Sequence, residues 1–269
     1  MRDEGDYVLA TGDAAAHRLS LLHQAYGPAG RELLLRAGIQ CGMRVADLGC
    51  GIGMVTRLLA ELVGPTGEVT GVDLSAPQLE HARVSLCDLK HVKFVEASAT
   101  ETKLERESFD LVFSRFLLIH LREPQDALRE MYELLKPGGI FVCEDADLTS
   151  ADSEPESKLK EFSNLFARLG PRWGVDYALG RRLLHLVANA NFSEPEISFN
   201  QPVFAKGDHK RLLDLSVAEA GPSFVKAGLI TNEELSDLLI EMRRLANDVS
   251  VIAILPRVTQ VWARKSPVT

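Results

Sequence analysis

Asp47-Leu48-Gly49-Cys50-Gly51-Ile52-Gly53 sets three glycines at alternate positions, directly behind the apolar run Met43-Arg44-Val45-Ala46. That order reads as a buried strand, a glycine turn and the first turn of a helix, the arrangement with which α/β proteins hold nucleotide-like ligands. Gly49, Gly51 and Gly53 leave no Cβ in the way, so backbone N–H groups are expected to approach the ligand closely. Further along, His120 offers a group that titrates near neutrality, and Glu144, Asp145 and Asp147 put three acids within four residues.

The glycine spacing and the charge beside it restrict the ligand. A dinucleotide loop has the form G-x-G-x-x-G, and counting from Gly49 its third glycine would fall at Met54, whereas the chain has it at Gly53. Asp47, two residues before the first glycine, would oppose a pyrophosphate but suits a ligand carrying an ammonium and a sulfonium. Glu68-Val69-Thr70-Gly71-Val72-Asp73 reads as the next strand, ending in an acid about 20 residues beyond the loop, where a carboxylate can accept both hydroxyls of a ribose. Its plainer alternative is a turn residue. Ser75-Ala76-Pro77-Gln78 then has the form of a capping box opening a helix.

The elements that must position these residues alternate strand and helix from about residue 43 to 147, which predicts a parallel sheet covered on both sides. Before them lies a helical region, about Asp13 to Leu35, with a break expected at Gly27-Pro28-Ala29-Gly30. After the strand Ile140-Phe141-Val142-Cys143-Glu144 come a polar stretch from Thr149 to Glu156 and an amphipathic segment from Leu159 to Leu169, expected to act as a lid. A helix near Gly180 to Ala190, a strand at Glu194 to Phe199, helices at about Lys210 to Ala227 and Asn232 to Val249, and a final strand at Val258 to Ala263 follow.

Four stretches carry a family resemblance. Val45 to Gly53, Gly71-Val72-Asp73-Leu74-Ser75, Phe109-Asp110-Leu111-Val112-Phe113-Ser114-Arg115 and Leu134-Leu135-Lys136-Pro137-Gly138-Gly139 stand in the order of the motifs of class I S-adenosylmethionine (SAM) dependent methyltransferases. The segment from about Val45 to Val142 therefore resembles the core of that family, of the type that methylates small molecules in quinone and secondary-metabolite biosynthesis. The resemblance implies a Rossmann-like α/β fold: a seven-stranded, mostly parallel sheet with helices on both faces, plus an N-terminal helical region and helical lid insertions. It divides the chain into a helical lid (1–35), a SAM-binding core (36–148) and a lid insertion with substrate-side helices and terminal antiparallel strands of the same domain (149–269).

The resemblance implies SAM as cofactor, held by Asp47, Gly49, Cys50, Gly51, Gly53, Asp73, Leu74, Gln78, Ser98, Ala99, Ser114 and Arg115, with Tyr7 and Gln24 from the N-terminal region. Ser98 departs from the pattern, since family members often carry Asp or Asn there to bind the adenine amino group. His120, Glu144 and Asp145 are the candidate catalytic residues, for proton transfer or acceptor orientation; the alternative is that all three only cap or solvate turns. In the N-terminal region, which also holds His23 and Gln24, an Arg or Tyr (Arg18, Tyr26 or Tyr7) could bind the SAM carboxylate, but helical spacing alone would also place these residues on a solvent face. Trp173 and Tyr177 could stack on a planar acceptor or anchor the lid. No Asn- or Asp-Pro-Pro-Tyr/Phe run follows the fourth strand, which reads Ser114-Arg115-Phe116-Leu117, so methylation of adenine bases or of glutamine is not expected.

The expected reaction is methyl transfer to an O, N or C atom of a metabolite; the competing reading is a SAM-binding protein that does not methylate. With 46% hydrophobic and 25% charged residues over 269 positions, the chain can bury one large core, so one elaborated domain is expected. A formal net charge of −8 disfavours nucleic acid as a partner. No apolar run approaches the ~18 residues that span a bilayer, and Met1-Arg2-Asp3-Glu4-Gly5-Asp6 lacks a signal pattern, so cytoplasmic residence is expected. Cys41, Cys50, Cys87 and Cys143 are widely spaced, which suggests core thiols and no metal site. Homodimerisation is left open.

Overall fold

The computed structural model describes residues 13–266, with side chains from residue 17. In chain order the elements are α1 (Asp13–Ala37), β1 (Arg44–Leu48), α2 (Met54–Val63), β2 (Glu68–Asp73), α3 (Ala76–Ser85), β3 (Val92–Glu96), β4 (Phe109–Arg115), α4 (Pro124–Leu134) and β5 (Leu135–Asp147). These are followed by β6 (Asp152–Glu154), α5 (Lys158–Trp173), α6 (Leu183–Ala188), β7 (Phe192–Asn200), β8 (Val203–Phe204), α7 (Leu212–Lys226), α8 (Asn232–Asn247), β9 (Ile252–Ile254) and β10 (Arg257–Lys265). They form two compact units: one holds 27–146, 179–200 and the segment from Val258, the other α1 up to Tyr26 with 147–178 and 201–257.

The larger unit contains the expected seven-stranded sheet, in the order β3-β2-β1-β4-β5-β10-β7. Strands β1 to β5 pair in parallel, and β7 runs antiparallel to β10 at the edge. Strands β1 and β4 are buried along nearly their whole length because both faces are covered. On one face Val45, Leu111, Phe113 and Val142 cluster with Leu33 and Leu34 of α1 and with Val55, Leu59 and Val63 of α2. Phe141 points the other way, where its ring lies 4.3 Å from that of Phe192, itself edge-on to Tyr132 of α4 at 5.2 Å. Chain order along the sheet reverses between β1 and β4, so the carboxyl ends of these strands border the crevice where open α/β sheets bind ligands.

Three local expectations are corrected. Helix α1 does not break at Gly27-Pro28 but continues to Ala37 with Pro28 inside it. Burial of Leu33, Leu34 and Ala37 against the sheet offsets the hydrogen bond that Pro28 cannot donate. The Lys136-Pro137-Gly138-Gly139 turn lies within β5, looped out opposite Asp110: Phe109 pairs with Leu135 and Leu111 with Ile140, while Gly138 takes φ 78°. The helix expected near Gly180 to Ala190 is shorter, a 3-10 turn at Leu179–Arg182 leading into α6.

The smaller unit packs α5, α7 and α8 around buried aromatic rings. Phe166 meets Tyr177 and Phe224 edge-on at 5.3 and 5.2 Å. Ser157 caps α5 by accepting from Leu159 N, and Thr231 with Glu234 forms a complete capping box on α8. Beside them lies an antiparallel three-stranded sheet, β6-β9-β8, that no alternation in the sequence announced, because its strands are only two or three residues long. Among the described residues no helix is long and apolar enough to cross a membrane.

Candidate functional site

The glycine loop is turned inward. Gly49 N and Cys50 N donate to Val72 O at 2.8 and 3.0 Å, Gly51 N to Asp73 Oδ2 at 2.8 Å, and Gly53 N to Cys50 O at 3.0 Å. Four N–H groups expected to face a ligand are therefore bonded within the protein, which corrects that expectation. A loop with these donors withdrawn is not a phosphate nest, in keeping with the acid at Asp47. What the loop offers is closeness. Gly49 sits at φ 75° with Leu117 Cδ1 only 3.0 Å from where a Cβ would be, so a side chain there would be both strained and blocked. Cys50 is buried, with Sγ against Gly71 of β2, so its thiol faces the protein. Burial pushes that thiol well above its ordinary range.

Asp73 ends β2 as expected and acts as a clamp. Its Oδ2 accepts from Gly51 N and its Oδ1 from Ser75 N at 2.9 Å, joining the loop to the start of α3. Each carboxylate oxygen retains a second lone pair for a ligand hydroxyl. The predicted capping box does not form: Ser75 makes no side-chain cap bond, and its N–H goes to Asp73 in place of the Gln78 side chain. Gln78 is released to lie over the loop, its Oε1 3.0 Å from where a Gly51 Cβ would be. Leu74 stands 62% exposed beside Asp73, an apolar side chain with no packing reason to be in water. The Ser98 hydroxyl shares a 2.8 Å bond with Thr100 Oγ1 and accepts from Thr100 N at 3.2 Å, and Ala99 follows it half-buried.

The ends of β1, β4 and β5 concentrate charge. Asp47 is buried, its Oδ2 accepting from Thr56 Oγ1 at 2.7 Å. Burial pushes its carboxyl up to about 6, against the pull of the Thr56 hydroxyl and of Arg115. Register sets Ser114 beside Cys143 and Arg115 beside Glu144. Ser114 is fully buried and donates to Cys143 Sγ at 3.3 Å, so its hydroxyl points into the sheet. Arg115 Nη1 lies 4.0 Å from Glu144 Oε2, and the guanidinium sits 5.8 Å from the Phe116 ring centre. Phe116 itself takes φ 55°, a left-handed conformation that a bulky residue adopts at a cost of about 1 to 3 kcal/mol, and such outliers cluster at functional sites.

The candidate catalytic residues separate by what already holds them. Asp145 is completely buried; its Oδ2 accepts from Leu118 N at 2.7 Å and Ile119 N at 3.3 Å, its Oδ1 from Ala146 N at 2.9 Å. It anchors the 3-10 turn Leu118–His120, and burial pushes it up to about 7 against these backbone donors. Glu144 Oε1 accepts from Gln260 Nε2 at 2.7 Å, and burial raises its carboxyl. His120 closes the turn after β4, half-buried, its N–H on Leu117 O. Among the described residues no cluster of His, Cys, Asp or Glu could hold a metal ion.

Of the N-terminal candidates, Tyr7 lies outside the described residues. Gln24 is exposed and donates only weakly, to Ser20 Oγ at 3.4 Å. Arg18 is ion-paired with Glu219, and Tyr26 donates from its hydroxyl to Pro256 O at 2.8 Å. Asp147 Oδ1 accepts from Thr149 N at 3.1 Å. Tyr177 is part of the aromatic core of the smaller unit, and Trp173 packs against it, the anchoring role of the two first weighed.

Sequence reasoning passed over Phe116, Gly30, Ser198 and Gln260. Gln260 had a usable signal: an amide flanked by Val258 and Val261 in the closing strand, where Val258 to Val261 are all buried. Phe116 had none, because an aromatic residue is a poor indicator of positive φ.

Comparisons with known proteins place residues 46–143 in a family described as methyltransferase domain. The chain is 34% identical over 165 residues, 61% of its length and 67% of the relative's, to demethylmenaquinone methyltransferase of Staphylococcus aureus. Its fold is similar to phosphoethanolamine N-methyltransferase 2 of Haemonchus contortus, solved with phosphomonomethylethanolamine and S-adenosylhomocysteine (TM-score 0.54, 19% identity, 94% of this chain and 53% of that one). It is also similar to the [4+2]-cyclase SpnF (TM-score 0.56, 17% identity, 91% and 82%).

Proposed function

The chain belongs to the class I SAM-dependent methyltransferases, and on that premise we propose that it binds SAM across the carboxyl ends of β1, β2 and β4 and methylates a small-molecule acceptor at an O, N or C atom. The observation that carries the site is the Gly51 N–H bond to Asp73 Oδ2, which joins a Cβ-free loop and a strand-end carboxylate into one surface. On this surface Asp73 would accept the ribose hydroxyls, Leu74 would cover one adenine face, and Ser98 and Ala99 would border its edge. Asp47 would balance the ligand's positive charge. When bound, SAM supplies a methyl group on a sulfonium, an electrophile that needs no further activation. The protein's part is then to orient the acceptor and exclude water, contributions worth about 7 to 11 kcal/mol in ideal cases.

Asp145 and Glu144 have backbone and Gln260 donors on their carboxylates, which supports a positioning role for both and leaves His120 as the auxiliary proton carrier. His120→Ala should lower kcat about tenfold with SAM affinity intact; a loss beyond about a thousandfold would identify a true base. The name of the S. aureus relative supports a quinone-like acceptor, and cytoplasmic residence belongs to the same proposal. Incubation with methyl-labelled SAM and a demethylated quinone should yield labelled quinone and S-adenosylhomocysteine. Binding of SAM without S-adenosylhomocysteine formation, over a panel of quinone, phenol and amine acceptors, would favour the non-methylating reading.

A further inference from the structure

A single line of hydrogen bonds runs from the surface to the ligand edge of the sheet. Arg36 Nη2 donates to Ser198 Oγ at 3.0 Å, Ser198 Oγ to Gln260 Oε1 at 2.7 Å, and Gln260 Nε2 to Glu144 Oε1 at 2.7 Å. Direction is set at the two ends together. A guanidinium can only donate and a carboxylate accepts, so the Gln260 amide nitrogen faces Glu144, its carbonyl oxygen faces Ser198, and the Ser198 hydroxyl, accepting from Arg36, donates to that carbonyl. Gln260 and Glu144 are 2% and 1% exposed, so neither has water as a substitute partner.

The far oxygen of Glu144 has no hydrogen-bond donor and lies 4.0 Å from Arg115 Nη1. It occupies a space that exists because residue 30 is glycine: a Cβ there would come within 2.9 Å of Oε2. Arg36 is fixed in turn by its guanidinium lying 5.0 Å over the Trp262 ring. An arginine side chain 8% exposed, with Asp47 and Glu144 both feeling its charge, has few orientations open to it. A line of fixed donors ending on its acidic partner selects one.

We propose that Gln260, set by Ser198 and Arg36 and given room by Gly30, is a positioning residue: it holds Glu144 so that the Arg115 guanidinium is presented to the carboxylate of the cofactor's amino-acid end. This inference rests on the SAM-binding reading and adds to it which residues read the carboxylate. Arg115 is the group that contacts the ligand; Gln260, Ser198, Arg36 and Gly30 act through it. The arrangement resists substitution of Glu144 by a shorter acid, because Gln260 would lose its acceptor.

Calorimetry with S-adenosylhomocysteine and with its decarboxylated analogue, which keeps the ammonium and lacks only the carboxylate, tests the assignment. A charge-assisted contact predicts that the wild type prefers S-adenosylhomocysteine about ten- to hundredfold. Gln260→Leu should reduce that preference to less than about threefold, with affinity for the analogue unchanged. Gly30→Ala tests the same link with a fold-preserving change, since alanine favours the helix while its methyl pushes only on the end of the Glu144 side chain; it should lower the preference about threefold or more without lowering thermal stability. A preference retained in folded Gly30→Ala or Gln260→Leu overturns the inference. So does an equal loss for both ligands, which would mark a purely structural role. Failure of the wild type to bind S-adenosylhomocysteine at all would instead overturn the SAM-binding reading beneath it.

Discussion

Asp73 carries two tasks through one carboxylate, and the tasks can be separated by measurement. It closes the glycine loop through Gly51 N and opens α3 through Ser75 N, while its remaining lone pairs face the site proposed for ribose. Asp73→Ala should weaken S-adenosylhomocysteine binding about ten- to hundredfold and, by stranding two backbone donors, lower stability by about 1 to 3 kcal/mol. Unchanged affinity in the folded variant sinks the ribose assignment. Asp47 makes a pH prediction. Its carboxyl is pushed up from 3.8 to about 6 by burial, so its favourable contribution is complete below pH 3.8 and is lost as pH rises through about 6. Asp47→Asn keeps an acceptor for Thr56 but cannot ionise. Relative to wild type it should therefore gain about 2 kcal/mol between pH 4 and pH 7, most of the roughly 3 kcal/mol that the whole shift is worth at 1.36 kcal/mol per pKa unit. Urea denaturation at the two pH values checks this, and a pH-independent difference refutes the burial argument.

Among the elements, the 3-10 turn Leu179–Arg182 is seated closely on β5. A Cβ on Gly180 would come within 2.8 Å of Asp145 O and Ala146 C, backbone atoms of β5 that cannot rotate away. Gly180→Ala should cost about 1 to 3 kcal/mol by overpacking and lower the unfolding midpoint in urea. It should also disturb the Asp145 anchor that holds the turn bearing His120. Stability within about 0.5 kcal/mol of wild type would mean that the turn can move off the strand. This contact lies between residues some 35 positions apart in the chain, so only strand pairing and turn placement together make the glycine necessary.

For the whole molecule we propose that the N-terminal helical region and the insertion from Thr149 to Leu169 close over bound cofactor and exclude water. Hydrogen exchange should then slow in 13–26 and 149–169 when S-adenosylhomocysteine is added, together with the glycine loop. Protection confined to residues 43–120 would argue for a site open to solvent.

Much of the larger unit was legible in the chain because its signals are local. Glycines at alternate positions after an apolar run, an acid at the end of the next strand, and alternating strands and helices are properties of short segments, and they specified β1, β2, α2 and the mostly parallel sheet. Side-chain direction is not local. The chain announces that Asp47, Asp73, Ser114 and Glu144 stand at strand ends, but not that the Asp73 carboxylate would be met by Gly51 N, that Ser114 would turn to Cys143, or that Gln260 would reach Glu144 from a strand more than 100 residues later. Those outcomes follow from which strands lie side by side and from the cost of burying a polar atom without a partner, a demand that the folded neighbourhood alone can meet. The same demand turned the loop's N–H groups inward, left Phe116 in a strained conformation no propensity favours, and made Gly30 a matter of space for a carboxylate rather than of helix formation.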